Sequence, residues 1–502
     1  MTFFSSPSAS SSSPTSAASP SAETPNTTNK QANAQSAQTA QTNSQTNSQT
    51  NSSLSQPEAV FNQLVEAIGN QLLSPESHFT VSLSGEDSQF TRFNGAKVRQ
   101  SGQVRDAQLR LTLMNAQQTT QARLPFVGEF NTDWAMTKQV LSSLQTDLPH
   151  LPKDPYVVLP TASQQGQRRE VRSGQLIPAT EVAKTLITPV RHLDFSGLYA
   201  GGTTYRAYGD SVGKRHWFET PSFTLDYSLF TDSTGQKAVK GTLAGQTWNT
   251  AAYQSNIEAA QQQLALLSRP AKSVPRGAYR TYLAPAAVAD LMETLLYGGL
   301  GEADLRQGNS AFEKLEKGEA TLSPQFSLGE DFERIGVPRF NSSGILAPNQ
   351  LSVIQQGQWV TSLINARSAK EYGKSSNAAN QSESLRAPIV APGQLSEADI
   401  LAELGTGLYL SNLHYLNWSD LSAGRITGMT RYACFWVENG EIIAPIKNLR
   451  FDDSFYRFLG ADALLGLTQQ QSFIPAVDTY ERRALGGIWV PGMLIDQFRY
   501  TL

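Results

Sequence analysis

The stretch RYACFWVENGEIIAPIKNLRF, Arg431 to Phe451, decides how the second half of this chain is read. An Asn-Gly pair, Asn439-Gly440, separates two apolar runs. This is the strongest short-range sign of a two-residue hairpin, because both central positions of the favoured turn need positive φ. In the first strand Tyr432, Cys434 and Trp436 fall on one face and Ala433, Phe435 and Val437 on the other. Both faces are apolar, as in a strand covered on both sides. Cys434 is the only cysteine in 502 residues. A reactive cysteine needs a lowered pKa, from a helix N-terminus or a neighbouring cation. Arg431 is near in sequence, but simple alternation points it to the opposite face. Cys434 is therefore read as a small hydrophobe in the core.

Around this hairpin the segment from about Ser323 reads mostly as strands. NLHYLNW and the closing IWVPGMLIDQFRYTL are strand candidates, and LSEADILAELGTG, from Leu395, is a helix opened by Ser-x-x-Asp. Upstream, RGAYRTYLAP is a strand ending at Pro285, and AAVADLMETLLYG a helix that stops at Gly298-Gly299. A helix covers about Asn249 to Leu267 and another lies near Ala179 to Leu186. LDFSGLYAGGTTYRAYGDS and RHWFETPSFTLDYSLF are glycine-punctuated strands, with turns expected in SGLYAGGTTY. LPHLPKDPYVVLP, 148–160, is an extended connection. Before it, Ser55-Gln56-Pro57-Glu58 opens a helix with Phe61, Leu64, Val65, Ile68 and Leu72 on one face. HFTVSL is a strand, SGEDS a turn, QFTRF-NG-AKVRQ a second hairpin about Asn94-Gly95, and Asp133 to Leu144 a helix. The fold class is α+β. A helix-and-antiparallel-sheet domain (57–150) and a central region (151–322) precede a large, mostly antiparallel β-rich domain with packed helices (323–502).

The first 56 residues stand apart. QTNS occurs three times in succession from Gln41 to Ser52, and Glu23 and Lys30 are the only charged side chains up to Gln56. Little apolar surface is available to offset chain entropy, so a disordered tail is expected. It has neither the positive n-region nor the apolar h-region of a secretory signal. The remaining residues, about 445, suffice for a large core. No run long and apolar enough to span a membrane occurs. A net charge of -3 and a pI near 6.0 give no electrostatic footprint for nucleic acid. A single cysteine fits a reducing compartment.

Catalytic constellations are sparse. His-Glu-x-x-His, Gly-x-Ser-x-Gly and a phosphate-binding Gly-x-x-x-x-Gly-Lys-Ser/Thr are all absent. The densest carboxylate clusters, GEDFER (329–334) and FDDSF (451–455), read as solvated loops. His216 and His414 read as hydrogen-bonded structural residues, since a lone imidazole among apolar neighbours brings no second ligand. No catalytic, metal-binding or peptide-binding residue is named from the pattern.

At FWVENGEIIAPIKNLRF the chain resembles the C-terminal domain of the TldD/PmbA (TldE) family. VPRFNSSGILAPNQLSVIQQGQWVTSLINARSAKEYG (337–373) is similar to the segment that opens that domain, with its Ala-Lys pair and glycine at Ala369, Lys370 and Gly373. APIVAPGQLSEADILAELGTGLYL (387–410) matches its Pro-Gly, helix and Gly-Leu-Tyr strand. RGAYRTYLAPAAVADLMETL resembles the strand-Pro-helix entry of the central region. The structural signature residues carried over are Lys370, Gly373, Asn439, Gly440 and Pro445. The resemblance implies a cytoplasmic peptidase acting on unfolded or small peptides. TldD-type chains of the family hold zinc with a His-Glu-x-x-x-His helix and a later cysteine. PmbA/TldE-type chains lack both and pair with a TldD-type chain. Here the corresponding helix, Ala286 to Leu296, has Asp290 and Glu293 and no histidine. Cys434 lies upstream of the position expected for the ligand cysteine. The family's Ser-Gly-x-Phe-Ser before the hairpin is replaced by LSAGRITGMTRYACFW. The resemblance thus implies a subunit with no metal of its own, active beside a zinc-bearing TldD-type paralogue. The alternatives are a metallopeptidase active alone, with an atypical site of carboxylates and His414, and a non-catalytic peptide-binding scaffold.

Overall fold

The computed structural model describes residues 55–72, 74, 76–161, 166–231 and 237–501. The tail read as disordered lies outside them up to residue 54. Helix α1 (Gln56–Gln71) starts directly after Ser55.

Among the described residues seven strands form a first sheet. They are β1 (His78–Asn94), β2 (Lys97–Met114), β3 (Thr119–Pro125), β4 (Gln167–Val171), β5 (Asp194–Asp210), β6 (Arg215–Phe230) and β7 (Ala238–Gly245). The order is β3-β2-β1-β5-β6-β4, and β7 pairs with β6 beyond the stretch that β4 occupies. Alternation drives this sheet. Val81, Leu83, Leu109 and Leu111 are buried with Phe61, Leu64 and Val65 of α1 and Leu141 and Leu144 of α2 (Phe130–Asp147). Each fully buried aliphatic side chain of this kind contributes about 1.5–3 kcal/mol of transfer free energy.

Among the described residues eleven strands form the second sheet: β8 (Gly277–Leu283), β9 (Leu328–Asp331), β10 (Gln350–Gln355), β11 (Gln358–Trp359), β12 (Pro388–Val390), β13 (Gly407–Asp420), β14 (Arg425–Glu438), β15 (Glu441–Pro445), β16 (Arg450–Ser454), β17 (Leu464–Pro475) and β18 (Gly487–Tyr500). Strands β18, β16, β14, β13 and β8 pair in sequence, and β8 pairs again with β18, closing a ring. Most pairs are antiparallel; β4–β6, β8–β13 and β12–β18 are parallel. The strands of 151–322 are divided between the sheets, β4 to β7 joining the first and β8 the second.

Helices α3 (Val182–Ile187) and α4 (Thr250–Leu267) share one core with both sheets. Tyr253 and Ile257 of α4 pack with Phe195 and Leu225 of the first sheet and with Ala433, Phe435 and Val437 of β14. The opposite face of β14 belongs to another core, in which Cys434 packs with Leu410, Met493 and helix α5 (Pro285–Leu296). Strand β14 is therefore covered on both sides, as its sequence implies.

Four sequence expectations are corrected. SGEDS is no turn: β1 runs through it and pairs with β2 and β5. Gly85 is there because a Cβ would stand 2.3 Å from the Tyr205 ring. Glu86 and Ser88 are polar because they face the buried Arg483. SGLYAGGTTY is likewise continuous strand, where a Cβ on Gly202 would come within 2.1 Å of the Asp87 carbonyl. The first hairpin turns one residue later than expected. Asn94 pairs with Lys97, so Gly95 and Ala96 form the loop, with φ of 55° and 53°. Finally, FDDSF is no solvated loop, and GEDFER is one only at its end, where Glu333 and Arg334 form an exposed turn. Glu330 and Asp331 of β9 and Asp453 of β16 are buried. Glu330 accepts the amide hydrogens of Arg386 and Ala387, Asp331 those of Glu333 and Arg334, and Asp453 pairs with Arg457 and the Arg499 amide.

Candidate functional site

Helix α5 is set by Pro285 in its first turn, where the missing N–H costs nothing. Ala287, Val288, Leu291, Met292 and Leu295 anchor it in the core. Its other edge presents Ala286, Ala289, Asp290 and Glu293 to a cavity of about 570 Å³. The opposite walls are Lys240 of β7, Asn412 of β13 and the chain from Ile474 to Asp478. Asp290 accepts a 2.9 Å hydrogen bond from the Leu413 amide. Burial raises its carboxyl to about 6, against the opposing pull of that amide, Lys240 and Asn412. Lys240 also pairs with Asp226 at 3.3 Å. The cavity thus offers an acid near neutrality, a second carboxylate and an ammonium. These are groups able to hold a polar main chain or exchange a proton with it.

The donor set does not fit zinc. Zinc takes imidazole and thiolate ligands, usually four in tetrahedral array. The cavity's donors are three carboxylates, Asp290 and Glu293 one helical turn apart and Asp478 on the facing chain, of which Asp290 is already engaged by Leu413. Among the described residues no group of three or more His, Cys, Asp or Glu side chains could hold an ion.

The other singled-out residues lie apart from this cavity. Cys434 is buried, and burial pushes its thiol up to about 11; its Sγ–H donates to the Arg431 carbonyl at 3.1 Å. His414 is half-buried beside Tyr415 and 3.5 Å from Arg431 Nη1, and desolvation and that guanidinium lower its pKa. His216 is buried and accepts the Arg168 N–H at Nδ1 (3.1 Å), so Nε2 carries the hydrogen and donates to the Gly344 carbonyl at 3.1 Å. Lys370 donates to the Val157 carbonyl at 2.7 Å. Gly373 ends its helix in the left-handed conformation, φ 66°. Asn439 and Gly440 have φ of 48° and 80°, as a type I′ turn demands. The Gly440 amide docks this turn on the Gly405 carbonyl. Pro445 closes β15, its carbonyl accepting the Lys272 amide. Asp290 and Glu293 are brought to one cavity; the five signature residues serve turns, caps and docking. Sequence inspection missed Lys240, whose ordinary surface-like context in KAVKGTL gives no signal.

Residues 276–501 match the model of the PmbA/TldA metallopeptidase C-terminal domain. Residues 276–501 thus carry a domain of the PmbA/TldD type. The matched span opens at β8 and includes α5, the whole ring and the hairpin at Asn439. No curated protein matches the chain. Among solved structures, TldE from Thermococcus kodakarensis superimposes with a TM-score of 0.72 at 14% identity, covering 88% of this chain and 100% of that one. A proposed modulator of a DNA gyrase from Thermotoga maritima gives 0.71 at 13% identity, with 88% and 100% covered. A proposed modulator of DNA gyrase from Bacteroides thetaiotaomicron gives 0.69 at 14%, with 88% and 97% covered. At such identities the likeness is one of fold. No helix among the described residues is long and apolar enough to cross a membrane.

Proposed function

We propose that this chain is a non-metal, PmbA/TldE-like subunit of a heteromeric metallopeptidase that breaks down unfolded or small peptides in the cytoplasm. The zinc belongs to a TldD-type partner. One observation carries this reading: the helix where the resemblance places the metal motif faces a cavity with Asp290 and Glu293 and no imidazole or thiolate. A cavity of this size beside Lys240 suits a chain that holds peptide for another subunit's metal. Main-chain hydrogen bonding by strand addition binds unfolded peptides irrespective of sequence. Strand β7 borders the cavity and, among the described residues, pairs only with β6.

The test is to purify the chain alone and with a His-Glu-x-x-x-His-bearing paralogue from the same genome. Metal content and cleavage of a denatured peptide are measured in each sample. The expected result is zinc and cleavage only in the co-purified complex. Stoichiometric zinc and activity in the lone chain would overturn the proposal.

A further inference from the structure

A second cavity, of about 450 Å³, lies at the other end of β7. The first is bordered by Lys240 to Thr242 and the second by Ala244 to Gln246, and Leu485 touches both. Five residue steps along a strand separate Lys240 from Gly245, about 17 Å. The two cavities differ in charge. The first sets Asp290, Glu293 and Asp478 against Lys240 and Arg386. The second sets Arg172, Arg334 and Arg483 against Glu333 alone, and Glu333 is engaged by Asn349.

The donors of the second cavity are only partly used. Arg172 spends Nε and Nη2 on Glu170, both at 2.8 Å. Its Nη1 sits beside Gly336, 3.4 Å from where a Cβ would be, and Gln246 Nε2 is 3.5 Å from the same point. Gln246 Nε2 gives one hydrogen to Thr220 Oγ1 at 3.2 Å; the absent side chain at 336 leaves its other hydrogen and Arg172 Nη1 uncovered. Arg334 lies over the Trp489 ring at 4.2 Å and donates to Gln471, and no carboxylate is within ion-pair reach of it among the described residues. The Trp489 Nε1–H is buried with no hydrogen-bond partner among them, a costly state for a donor. Arg483 borders the cavity but is paired with Glu86, and its donors are used on Ser88, Ser222 and Gly202.

We propose that this cavity is a carboxylate subsite, which takes the C-terminal carboxylate or an Asp or Glu side chain of a peptide that extends from the α5 cavity. The proposal rests on the peptide-holding role above and deepens it: binding is polarised, with the anionic end of the peptide at Arg172 and Arg334. A planar carboxylate accepts from guanidinium and amide N–H groups in pairs, and the Trp489 and Phe473 rings shelve the carbon atoms beside it.

The experiment measures binding of fluorescent hexapeptides to the full chain by anisotropy. One peptide has a free C-terminus, one is amidated, and one is amidated with a C-terminal Glu in place of Gln. The variants are Arg334→Gln, an exposed position, and Gly336→Ala, which covers Arg172 Nη1 and Gln246 Nε2; thermal melts verify their folding. Either carboxylate should tighten binding about tenfold over the uncharged peptide. Both variants should erase most of that difference and leave the uncharged peptide's affinity unchanged. The free-acid and Glu arms tell the two carboxylate sources apart. Equal binding of charged and uncharged peptides overturns the subsite and leaves the peptide-holding role standing. Absence of binding by every peptide overturns both.

Discussion

The first sheet and the second are built by different rules. In the first, β5 and β6 pair over their whole length without a register shift, and β1 and β2 shift only next to their turn. In the second, the ring strands shift register repeatedly. Tyr415, Tyr432 and Gln497 have positive φ, and each sits at a shift in β13, β14 or β18. A bulge adds a residue to one strand, bends it and increases its twist. Long regular hairpins make an open sheet; bulged strands can return to their own beginning. The difference teaches where strain is stored. The ring that carries the α5 cavity accepts unfavourable backbone conformations, each costing on the order of 1 kcal/mol or more, and both faces of its central strand are buried in return.

The largest test of this contrast cuts the tie between the two sheets. Arg483, on the connection from β17 to β18, is buried against Glu86 of β1 at 3.4 Å. Arg483→Met leaves Glu86 buried without its cation and should cost about 3–5 kcal/mol in urea unfolding. Arg483→Met combined with Glu86→Gln should recover a good part of that. A loss below about 1 kcal/mol would show that the sheets hold together without the pair.

His216 makes a second, smaller tie, from β6 to the loop at Gly344. His216→Phe strands the Gly344 carbonyl and the Arg168 amide, an expected loss of about 2–3 kcal/mol. Because the ring accepts one hydrogen bond and donates another, it must be neutral, and burial lowers its folded pKa. The unfolded chain then takes up a proton first. Wild-type stability should fall as pH drops below about 6.5, and His216→Phe should lack that component.

How much of this was legible follows from range. The α1 face, the Asn439 turn and the two-sided burial of β14 are set by neighbours within a few residues, and sequence displays them. The course of β1 through SGEDS depends on Tyr205 and Arg483, more than a hundred residues away. A polar run beside a glycine looks like a turn until its partners are known. GEDFER misled for the same reason, since Glu330 is satisfied by the backbone of Arg386. Of the α5 cavity, Asp290 and Glu293 were visible as a helix without histidine. Lys240 was not, because a basic residue on a strand has no local mark of function.

Within the cavity the effect is smaller and reversed in sign with pH. The Asp290 carboxyl is raised to about 6, so the folded state holds its proton longer than the unfolded chain. Stability is therefore lost as pH rises from the ordinary carboxylate range, near 4, toward 6. Asp290→Asn keeps an oxygen for the Leu413 amide and removes the buried charge. It should be more stable at pH 7 by on the order of 1 kcal/mol, with a flatter profile from pH 4 to 6. A variant less stable at pH 7 would mean that the carboxylate is favoured where it stands.

The smallest test returns to the two Asn-Gly turns. Both tight loops need positive φ at two positions, yet only the Asn439 turn uses its Asn-Gly pair that way. At the other, Ala96 takes the strained place. Its amide is held by the Phe195 carbonyl, and its methyl is buried with Phe93 and Phe195. Gly440→Ala should cost about 1 kcal/mol, since a Cβ there meets both the left-handed backbone and the Leu401 carbonyl at 3.4 Å. Ala96→Gly relieves similar strain but loses a buried methyl worth about 0.8 kcal/mol and adds freedom to the unfolded chain. The net change should lie within about 0.5 kcal/mol of zero. A clear gain from Ala96→Gly would mean that the turn slipped by one residue for the sake of the Phe195 hydrogen bond alone, and that the methyl contributes little.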